Sequence, residues 1–301
     1  WRRASLLGKS KKSTVNEICN KSPIKLNKDI SLEKIRKIFK KHNLDSIPLV
    51  NKKNLIIKII FKNQLVKKKI TKRLFTPIII MAGGKGTRLS PFTEVLPKPL
   101  IPIKGKTVIS LIIQNFVSKG FRKFFISINE KSKIIKSYFE EKKFKNKIKF
   151  IEEQKPLGTS GALSKLQNIN SKNFFVTNCD TIINYDINKI INYHSKNKNS
   201  LTILVVKKKY SIPYGIFHEN KNKSIDMTEK PKLNYLINIG SYITDKKIFK
   251  LLKKNKRYDF NNFVQILKDN GEKIGLYKIP EKSWKDVGTW DEYRRTVSLM
   301  K

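Results

Sequence analysis

The stretch PIIIMAGGKGTRLSP, residues 77–91, decides the fold because an apolar strand runs directly into a glycine-rich turn. Residues 77–82 are predicted to form a buried strand. Glycines let backbone N–H groups approach a phosphate closely and form an anion nest, and Arg88 can hold phosphate oxygens through two parallel bonds. The turn matches neither the dinucleotide fingerprint nor the Walker A loop. The candidate nucleotide-binding residues in it are Gly83, Gly84, Gly86 and Thr87.

Strands and helices alternate after this turn. The apolar patterns predict strands at 124–129, 150–151, 174–178 and 201–206, and helices at 108–118, 133–142, 160–167 and 187–196. This alternation predicts an α/β fold with a Rossmann-like, mixed but mainly parallel sheet. Ligands of such sheets bind beyond the carboxyl ends of the strands, and most of the motifs below follow strands.

A second motif, Leu96-Pro97-Lys98-Pro99-Leu100, follows ten residues after Arg88. The two prolines stiffen the backbone on either side of Lys98, so its ammonium group is presented in a fixed place. A glycine-rich turn alone would more often be an ordinary turn. The ordered combination of both motifs, followed by Pro102-Ile103, is much more specific.

Two acidic residues lie in separate motifs, Asn178-Cys179-Asp180 and Trp284-Lys285-Asp286-Val287-Gly288-Thr289. Asp180 follows a predicted strand, and a carboxylate at that position is well placed for Mg²⁺, which prefers oxygen ligands. Alone, Asp180 would more often be a turn or helix-cap residue. A further motif, at residues 152–163, contains Pro156-Leu157-Gly158-Thr159, and it can equally be a turn into a helix capped by Thr159 or Ser160.

Together these motifs resemble the sugar-phosphate nucleotidyltransferases over residues 77–295. The resemblance implies in-line attack of a sugar 1-phosphate on the α-phosphorus of an NTP. It implies that Arg88 holds the NTP phosphates, that Lys98 neutralises charge between the substrates, and that Asp180 and Asp286 bind the Mg²⁺ cofactor. Cys179 departs from the small residue usual there, and could crowd the nucleotide.

The same resemblance implies roles in base and sugar recognition. The loop ending in Gly158 would bind the base, and the sugar phosphate would contact Gly215, Glu229, Lys230 and Asn238. Relatives that use uridine or thymidine nucleotides commonly carry Gln where this chain has Glu153. A carboxylate only accepts hydrogen bonds, so it fits the N1–H and 2-amino donors of guanine and predicts GTP. Two alternatives stay open: the register could place Glu152 there, or both glutamates are solvated loop residues.

Residues 1–72 form a separate domain by sequence, and residues 75–301 form the second. A charged linker is predicted around residues 67–76. Ahead of it, a helix capped by Ser31, strands at 47–50 and 55–60 and a helix around 62–66 resemble a CBS module, which implies an adenosine nucleotide as ligand. Residues 1–7 resemble the tail of a preceding module, so we expect the start of a longer protein to be missing. The alternative is a generic small α/β domain.

Composition restricts the function class. Lys and Arg total 66 against 23 Asp and Glu, a formal net charge of +43. These cations are scattered through every segment without a nucleic-acid-binding motif, so we expect no specific nucleic acid partner. No apolar run is long enough for a membrane span, and two distant cysteines favour a reducing, cytoplasmic setting. A homo-oligomer is compatible with this composition.

Three functions therefore compete. The first is a nucleotidyltransferase: a CBS region ahead of this catalytic domain resembles enzymes that supply GDP-glucosamine for legionaminic acid-type surface glycans, with mannose-1-phosphate guanylyltransferase as the second enzyme candidate. Another is a regulatory homologue that senses nucleotide-sugars after losing a metal ligand. The retention of Arg88, Lys98, Asp180 and Asp286 argues against it. The third, a nucleic-acid-binding protein, has only the charge in its favour.

Overall fold

The computed structural model describes residues 8, 13–27, 30–51, 53–61, 74–129, 131–141, 147–219 and 225–299. The chain divides into two units, Trp1–Ile70 and Thr71–Lys301. The remnant predicted at residues 1–7, the helix around 62–66 and most of the linker lie outside the described residues. Within the described ranges, none of the helices combines the length and apolarity needed to cross a membrane.

The N-terminal unit is a three-stranded sheet packed on one helix. Helices α1 (Val15–Ile18) and α2 (Leu32–His42) and strands β1 (Leu26–Asn27), β2 (Ser46–Val50) and β3 (Ile56–Phe61) form it. The strand order is β1-β2-β3: β1 runs parallel to β2, and β3 runs antiparallel to β2. As predicted, Ser31 caps α2, accepting a hydrogen bond from the Lys34 N–H at 3.4 Å. The buried core consists of Leu26, Ile35, Phe39, Ile47 and Ile60.

The C-terminal unit contains the remaining elements. Its strands are β4 (Ile78–Met81), β5 (Pro102–Ile103), β6 (Lys106–Thr107), β7 (Lys123–Ile128), β8 (Lys147–Glu152), β9 (Asn173–Asn178), β10 (Thr181–Ile183), β11 (Leu201–Ser211), β12 (Ile216–Glu219), β13 (Ile225–Thr228), β14 (Lys232–Asp245), β15 (Ile274–Lys278) and β16 (Trp284–Asp286). Its helices are α3 (Phe92–Val95), α4 (Val108–Ser118), α5 (Ser132–Glu141), α6 (Ile187–Lys196), α7 (Phe260–Asp269) and α8 (Trp290–Leu299).

A seven-stranded mixed sheet organises this unit, in the order β15-β11-β14-β9-β4-β7-β8. Strands β9, β4, β7 and β8 are parallel, whereas β14 runs antiparallel to both of its neighbours. The predicted fold class is therefore confirmed. The carboxyl ends of β4, β7, β8 and β9 meet at one edge, and the glycine-rich turn leaves the sheet there.

Apolar side chains cover both faces of the sheet. Successive residues of a strand point to opposite faces, so Ile78 and Ile80 join one buried cluster, whereas Ile79 and Met81 join the other. The first cluster includes side chains of α4, α5 and α6, and the second includes those of α7. Burial on both faces explains why β4 reads as a continuous apolar run.

The helix predicted at residues 160–167 is a 3₁₀ helix, Gly161–Leu166. The Ser160 side chain makes no capping hydrogen bond. Instead, backbone bonds to Tyr258 fix the segment before the helix: Tyr258 N–H donates to Leu157 O and Ser160 N–H to Tyr258 O, both at 2.9 Å. Long-range contacts that the local sequence pattern does not contain therefore determine this turn.

Residues 74–301 alone are expected to fold, because both apolar clusters and all seven sheet strands lie within them. Thermal unfolding of this fragment, followed by circular dichroism beside the full chain, should show one cooperative transition. A fragment without a cooperative transition would contradict the independence of the unit.

Candidate active site

A cleft of about 520 Å³ opens at the carboxyl edge of the sheet. It brings together most of the nucleotide-binding and catalytic residues predicted from the sequence. Those that line it are Gly83, Gly84, Gly86, Thr87, Arg88, Lys98, Gly158 and Asp180. Residues separated by up to 97 positions in sequence thus share one concave surface, as expected at this edge of an α/β sheet.

The glycine-rich turn and the Pro-Lys-Pro segment form one wall of the cleft. Residues Thr87–Leu89 make a single 3₁₀ turn that exposes Arg88. Thr93 Oγ1 donates to the Gly86 carbonyl at 3.0 Å, which ties the turn to α3. Lys98 begins a second 3₁₀ turn, and its side chain is only 11% exposed. The two cationic groups are therefore held by short, fixed segments.

Two short strands bring the acidic motifs together. Strands β10 and β16 pair antiparallel, with Thr181 opposite Asp286. The Val287 N–H donates to the Asp180 carbonyl at 3.0 Å, which continues this pairing beyond the strand. Asp180 and Asp286, which lie far apart in sequence, are consequently neighbours in space.

The carboxylates, the lysine and the arginine converge on Gly288. A Cβ atom built on Gly288 would lie 2.7 Å from Asp180 Oδ2, 2.9 Å from Asp286 Oδ1 and 3.4 Å from an Arg88 guanidinium nitrogen. Lys98 Nζ donates to Asp180 Oδ2 at 2.5 Å. Because any side chain at residue 288 would fill this point, glycine is required there by close approach.

Burial and mutual repulsion perturb the acidic pair. Burial raises the pKa of Asp286, and the negative charge of Asp180 raises it further. The Gly288 N–H, which donates to Asp286 Oδ1 at 2.7 Å, and the charges of Lys98 and Arg88 oppose this shift. Two carboxylates that repel each other in a partly buried site are stabilised by any cation placed between them.

The donor set fits a divalent metal that takes oxygen ligands. Mg²⁺ is usually bound by one or two carboxylates, with substrate phosphates and water completing its shell. Asp180 and Asp286 supply that number, and no group of three or more potential ligands occurs among the described residues. A cation at this point would share Asp180 with Lys98.

Cys179 lines the same cleft but belongs to the core. It is 7% exposed, and its N–H donates to the Met81 carbonyl at 3.2 Å. Burial raises the pKa of its thiol to about 12, and the charge of Asp180 adds to the shift. The residue therefore stays a neutral thiol that packs beside the cleft.

The two candidate base-recognition residues face different surroundings. Glu152 is exposed and forms an ion pair with Lys136 at 2.8 Å. Glu153 is 6% exposed, and its Oε2 accepts from the Leu157 N–H at 3.0 Å, while Oε1 has no partner and lies against Gly83. Burial raises the pKa of Glu153. Glu153 therefore lies behind Gly83 and outside the lining of the cleft. The Glu152 side chain is engaged with Lys136.

Arg257 and Asp259 also line the cleft, and no sequence motif indicated either residue. They lie beside Gly158, whose φ of +76° and close approach to Asp259 Oδ1 leave no room for a side chain. Arg257 could not be found from the sequence because it is one of many scattered cations. Asp259 resembles an ordinary helix cap at the start of α7.

The residues predicted to bind the sugar phosphate lie at two places, the ends of the separate two-stranded β12–β13 sheet and strand β14. Gly215 and Glu229 flank the β12–β13 hairpin, and Lys230 Nζ lies 3.5 Å from Glu229 Oε1. Asn238, on β14, accepts from the Gly240 N–H at 2.9 Å. All four are described residues, and none lines the 520 Å³ cleft. The structure brings Gly215 and Glu229 together. The carbonyl of Ile239, next to Asn238, accepts from Thr181 Oγ1 at 3.1 Å, so this part of β14 borders the segment that carries Asp180.

Residues 78–300 match the family model described as nucleotidyl transferase, and residues 15–68 match the CBS domain model. Both matches confirm resemblances predicted from the sequence. The bifunctional protein GlmU of Methanococcus aeolicus is 31% identical over 235 residues, which are 74% of this chain and 54% of that protein. This chain therefore spans about half the length of that relative.

Two further relatives are named for their substrates. The mannose-1-phosphate guanyltransferase of Yarrowia lipolytica is 31% identical over 70% of this chain and 60% of its own length. The D-glycero-alpha-D-manno-heptose 1-phosphate guanylyltransferase of Campylobacter jejuni is 29% identical over 71% of this chain and 96% of its own length.

Solved structures share the fold. HddC from Yersinia pseudotuberculosis superposes with a TM-score of 0.60 at 27% identity, covering 75% of this chain and 100% of that chain. HddC complexed with GMP-PN gives a TM-score of 0.59 at 26% identity, with the same coverage of both chains. An inositol-1-phosphate CTP transferase from T. maritima, 15% identical, gives 0.57 over 74% of this chain and 94% of its own, which supports the fold alone.

Gly288→Ala is expected to weaken divalent metal binding at least about tenfold, because the new methyl group must push both carboxylates apart. Titration with Mn²⁺, followed by its electron paramagnetic resonance signal, measures the affinity. Gly84→Ala is the matched control, since its Cβ would meet no atom within 4 Å. Equal Mn²⁺ affinity in wild type and Gly288→Ala would show that the two carboxylates do not share an ion.

Proposed function

Because the chain belongs to the nucleotidyl transferase family, we propose that it joins a nucleoside triphosphate to a sugar 1-phosphate and releases pyrophosphate. The convergence of Asp180, Asp286, Lys98 and Arg88 at Gly288 is the observation that carries this proposal. Such a reaction brings two polyanions together, so its main obstacle is charge repulsion. A partly buried site with two fixed cations and a carboxylate pair is suited to overcoming it.

Each residue has a role in this proposal. Backbone N–H groups of the glycine-rich turn and the Arg88 guanidinium bind the NTP phosphates. Lys98 lies between the two substrates and neutralises the charge that develops during in-line attack on the α-phosphorus. The sugar phosphate is already an anionic nucleophile, so no residue has to remove a proton. Positioning and electrostatic stabilisation therefore account for catalysis.

Mg²⁺ is the proposed cofactor, held by Asp180 and Asp286. When bound, it polarises the phosphate oxygens and neutralises part of their charge. The two carboxylates are kept in place by the β10–β16 pairing and by the Gly288 N–H. A cation held there would share Asp180 with Lys98, whose ammonium group would remain beside the incoming phosphate.

Recognition of the sugar phosphate is assigned to the β12–β13 region. Glu229 would accept bonds from sugar hydroxyls, Lys230 would bind the phosphate, and Gly215 and Asn238 would contact the ring. Glu229 and Lys230 are both more than half exposed, so they are free to reorient toward a ligand.

Pyrophosphate release from a panel of NTPs and sugar 1-phosphates tests the reaction. Asp180→Asn and Asp286→Asn are each expected to lower turnover at least about a hundredfold, since a lost ligand weakens charge neutralisation in the transition state. Asp291→Asn, at an exposed position in the first turn of α8, is the control. Near-normal turnover in both variants would contradict the carboxylate assignment.

GTP is the proposed nucleotide. An unpaired buried carboxylate oxygen is energetically unfavourable, and Glu153 Oε1 is such an atom. Guanine offers adjacent N1–H and 2-amino donors, which suit a carboxylate turned from Gly83 toward the cleft. Uracil and thymine would set carbonyl oxygens against it. Because Glu152 forms an ion pair with Lys136, Glu153 is favoured as the residue that recognises the base.

Two relatives support the same base. The proteins from Yarrowia lipolytica and Campylobacter jejuni are both named as guanylyl- or guanyltransferases, and HddC has been crystallised with GMP-PN. For the sugar, we propose glucosamine 1-phosphate first, because a CBS region ahead of this catalytic domain resembles enzymes that supply GDP-glucosamine for legionaminic acid. Mannose 1-phosphate is the alternative, supported by the Yarrowia lipolytica relative.

The CBS region is proposed to regulate the enzyme by binding an adenosine nucleotide, with a cytoplasmic location consistent with two free cysteines. Residues 74–301 alone should then retain catalysis and lose any response to adenosine nucleotides. A regulatory protein that only senses nucleotide-sugars is the competing function. It would bind the nucleotide-sugar without turnover in the panel described above.

Wild type is expected to prefer GTP over UTP and dTTP by at least about tenfold in kcat/KM, which corresponds to about 1.4 kcal/mol. Glu153→Gln should reduce this preference, because an amide can also pair with a pyrimidine edge. Glu152→Gln, at the exposed neighbouring position, should leave it unchanged. A preference for UTP or dTTP in wild type, or an unaltered GTP preference in Glu153→Gln, would refute this role of Glu153.

A further inference from the structure

Arg257 borders the nucleotide cleft next to the loop assigned to the base. It lines the cleft together with Pro156, Gly158 and Thr159. Gly158 approaches the Tyr258 carbonyl and Asp259 Oδ1 closely, so Arg257 is beside the base loop. This placement separates Arg257 from the scattered surface cations of the chain.

The backbone around Arg257 is firmly positioned. Its neighbour Tyr258 exchanges backbone hydrogen bonds with Leu157 and Ser160, each of 2.9 Å. A Cβ atom on Gly161 would lie 2.7 Å from the Lys256 carbonyl, so the two segments are in direct contact. Tyr258 is buried, which anchors the segment in the core. Residues 256–258 and the base loop therefore act as one unit.

The guanidinium group of Arg257 keeps donors available. One of its terminal nitrogens contacts Asp259 Oδ2 at 3.3 Å, and the side chain remains 68% exposed. Arginine carries five N–H donors in a planar fork. Asp259 thus orients the group by accepting one of its N–H donors, and the remaining donors can engage a planar acceptor pair in the cleft.

We propose that Arg257 is a specificity-determining residue that donates to O6 and N7 of guanine. This inference rests on the proposed function, in which Glu153 accepts from N1–H and the 2-amino group. An arginine fork on O6 and N7 is the commonest specific contact to guanine in protein–nucleic acid complexes. Adenine places an amino donor where guanine has O6, so Arg257 rejects it. Together, Glu153 and Arg257 distinguish guanine from the other bases.

The analogue 7-deaza-GTP tests this contact, because it replaces the N7 acceptor with C–H and leaves the Watson–Crick edge unchanged. Wild type should use 7-deaza-GTP at least about fivefold less efficiently than GTP in kcat/KM, as one bond of a bidentate pair is lost. Arg257→Ala should use GTP at least about tenfold less efficiently than wild type and should no longer discriminate between GTP and 7-deaza-GTP. Arg257→Lys should recover only part of the discrimination.

Lys254→Ala is the matched control, since it removes a nearby exposed positive charge outside the lining of the cleft. It should keep both the GTP efficiency and the discrimination of wild type. Circular dichroism of Arg257→Ala checks that the variant is folded. If it is not, Arg257→Lys alone carries the comparison.

Three outcomes would overturn the inference. The first is an unchanged GTP to 7-deaza-GTP ratio in Arg257→Ala and Arg257→Lys. The second is an equal loss with GTP and UTP, which would identify Arg257 as a phosphate contact. The third is absence of turnover with GTP in wild type, which would refute the proposed guanine preference as well. The first two outcomes occur with normal GTP turnover in wild type, so they leave the proposed function standing.

Discussion

The close approach of Asp180 and Asp286 is the constraint on which the candidate active site depends. The β10–β16 pairing forces the two carboxylates toward one point, and Gly288 leaves that point free of side-chain atoms. Lys98, Arg88 and the Gly288 N–H oppose the rise in the pKa of Asp286 that burial and Asp180 cause. Such an arrangement favours folding less than an apolar one would. It suits the proposed binding of a cation and anionic substrates.

The surrounding structure holds this arrangement together. Trp290, at the start of α8, donates its indole N–H to the Ser90 carbonyl at 2.9 Å and packs edge-on against Phe92 at 4.9 Å. These contacts link the segment after Asp286 to the segment after Arg88, so the glycine-rich motif and the motif at residues 284–289 form one structure. The buried faces of β4 and β9 support them from below. Preorganised charges of this kind need little rearrangement during a reaction.

Most of the fold was predictable, whereas the site was predictable only in part. Periodicity fixed α4 and α6 to the residue, because amphipathic helices and two-sided strands leave strong local patterns. The turn that precedes the 3₁₀ helix Gly161–Leu166 could not be predicted, since backbone bonds to the distant Tyr258 hold it. The motifs identified Asp180 and Asp286 as candidates, and the structure brings them together. Arg257 was missed because a single arginine has no signature in so basic a chain, and the unpaired Oε1 of Glu153 depends on packing against Gly83.

Locating a bound metal ion tests directly whether Asp180 and Asp286 hold it together. Crystals grown with Mn²⁺ and a non-hydrolysable GTP analogue would give an anomalous-scattering peak at the ion. If the two carboxylates share the ion, one peak is expected within about 2.2 Å of oxygens from Asp180, Asp286 and the nucleotide phosphates. This distance is close to that of Mg²⁺–oxygen bonds. A peak coordinated by the phosphates alone, with neither carboxylate in bonding range, would contradict this expectation.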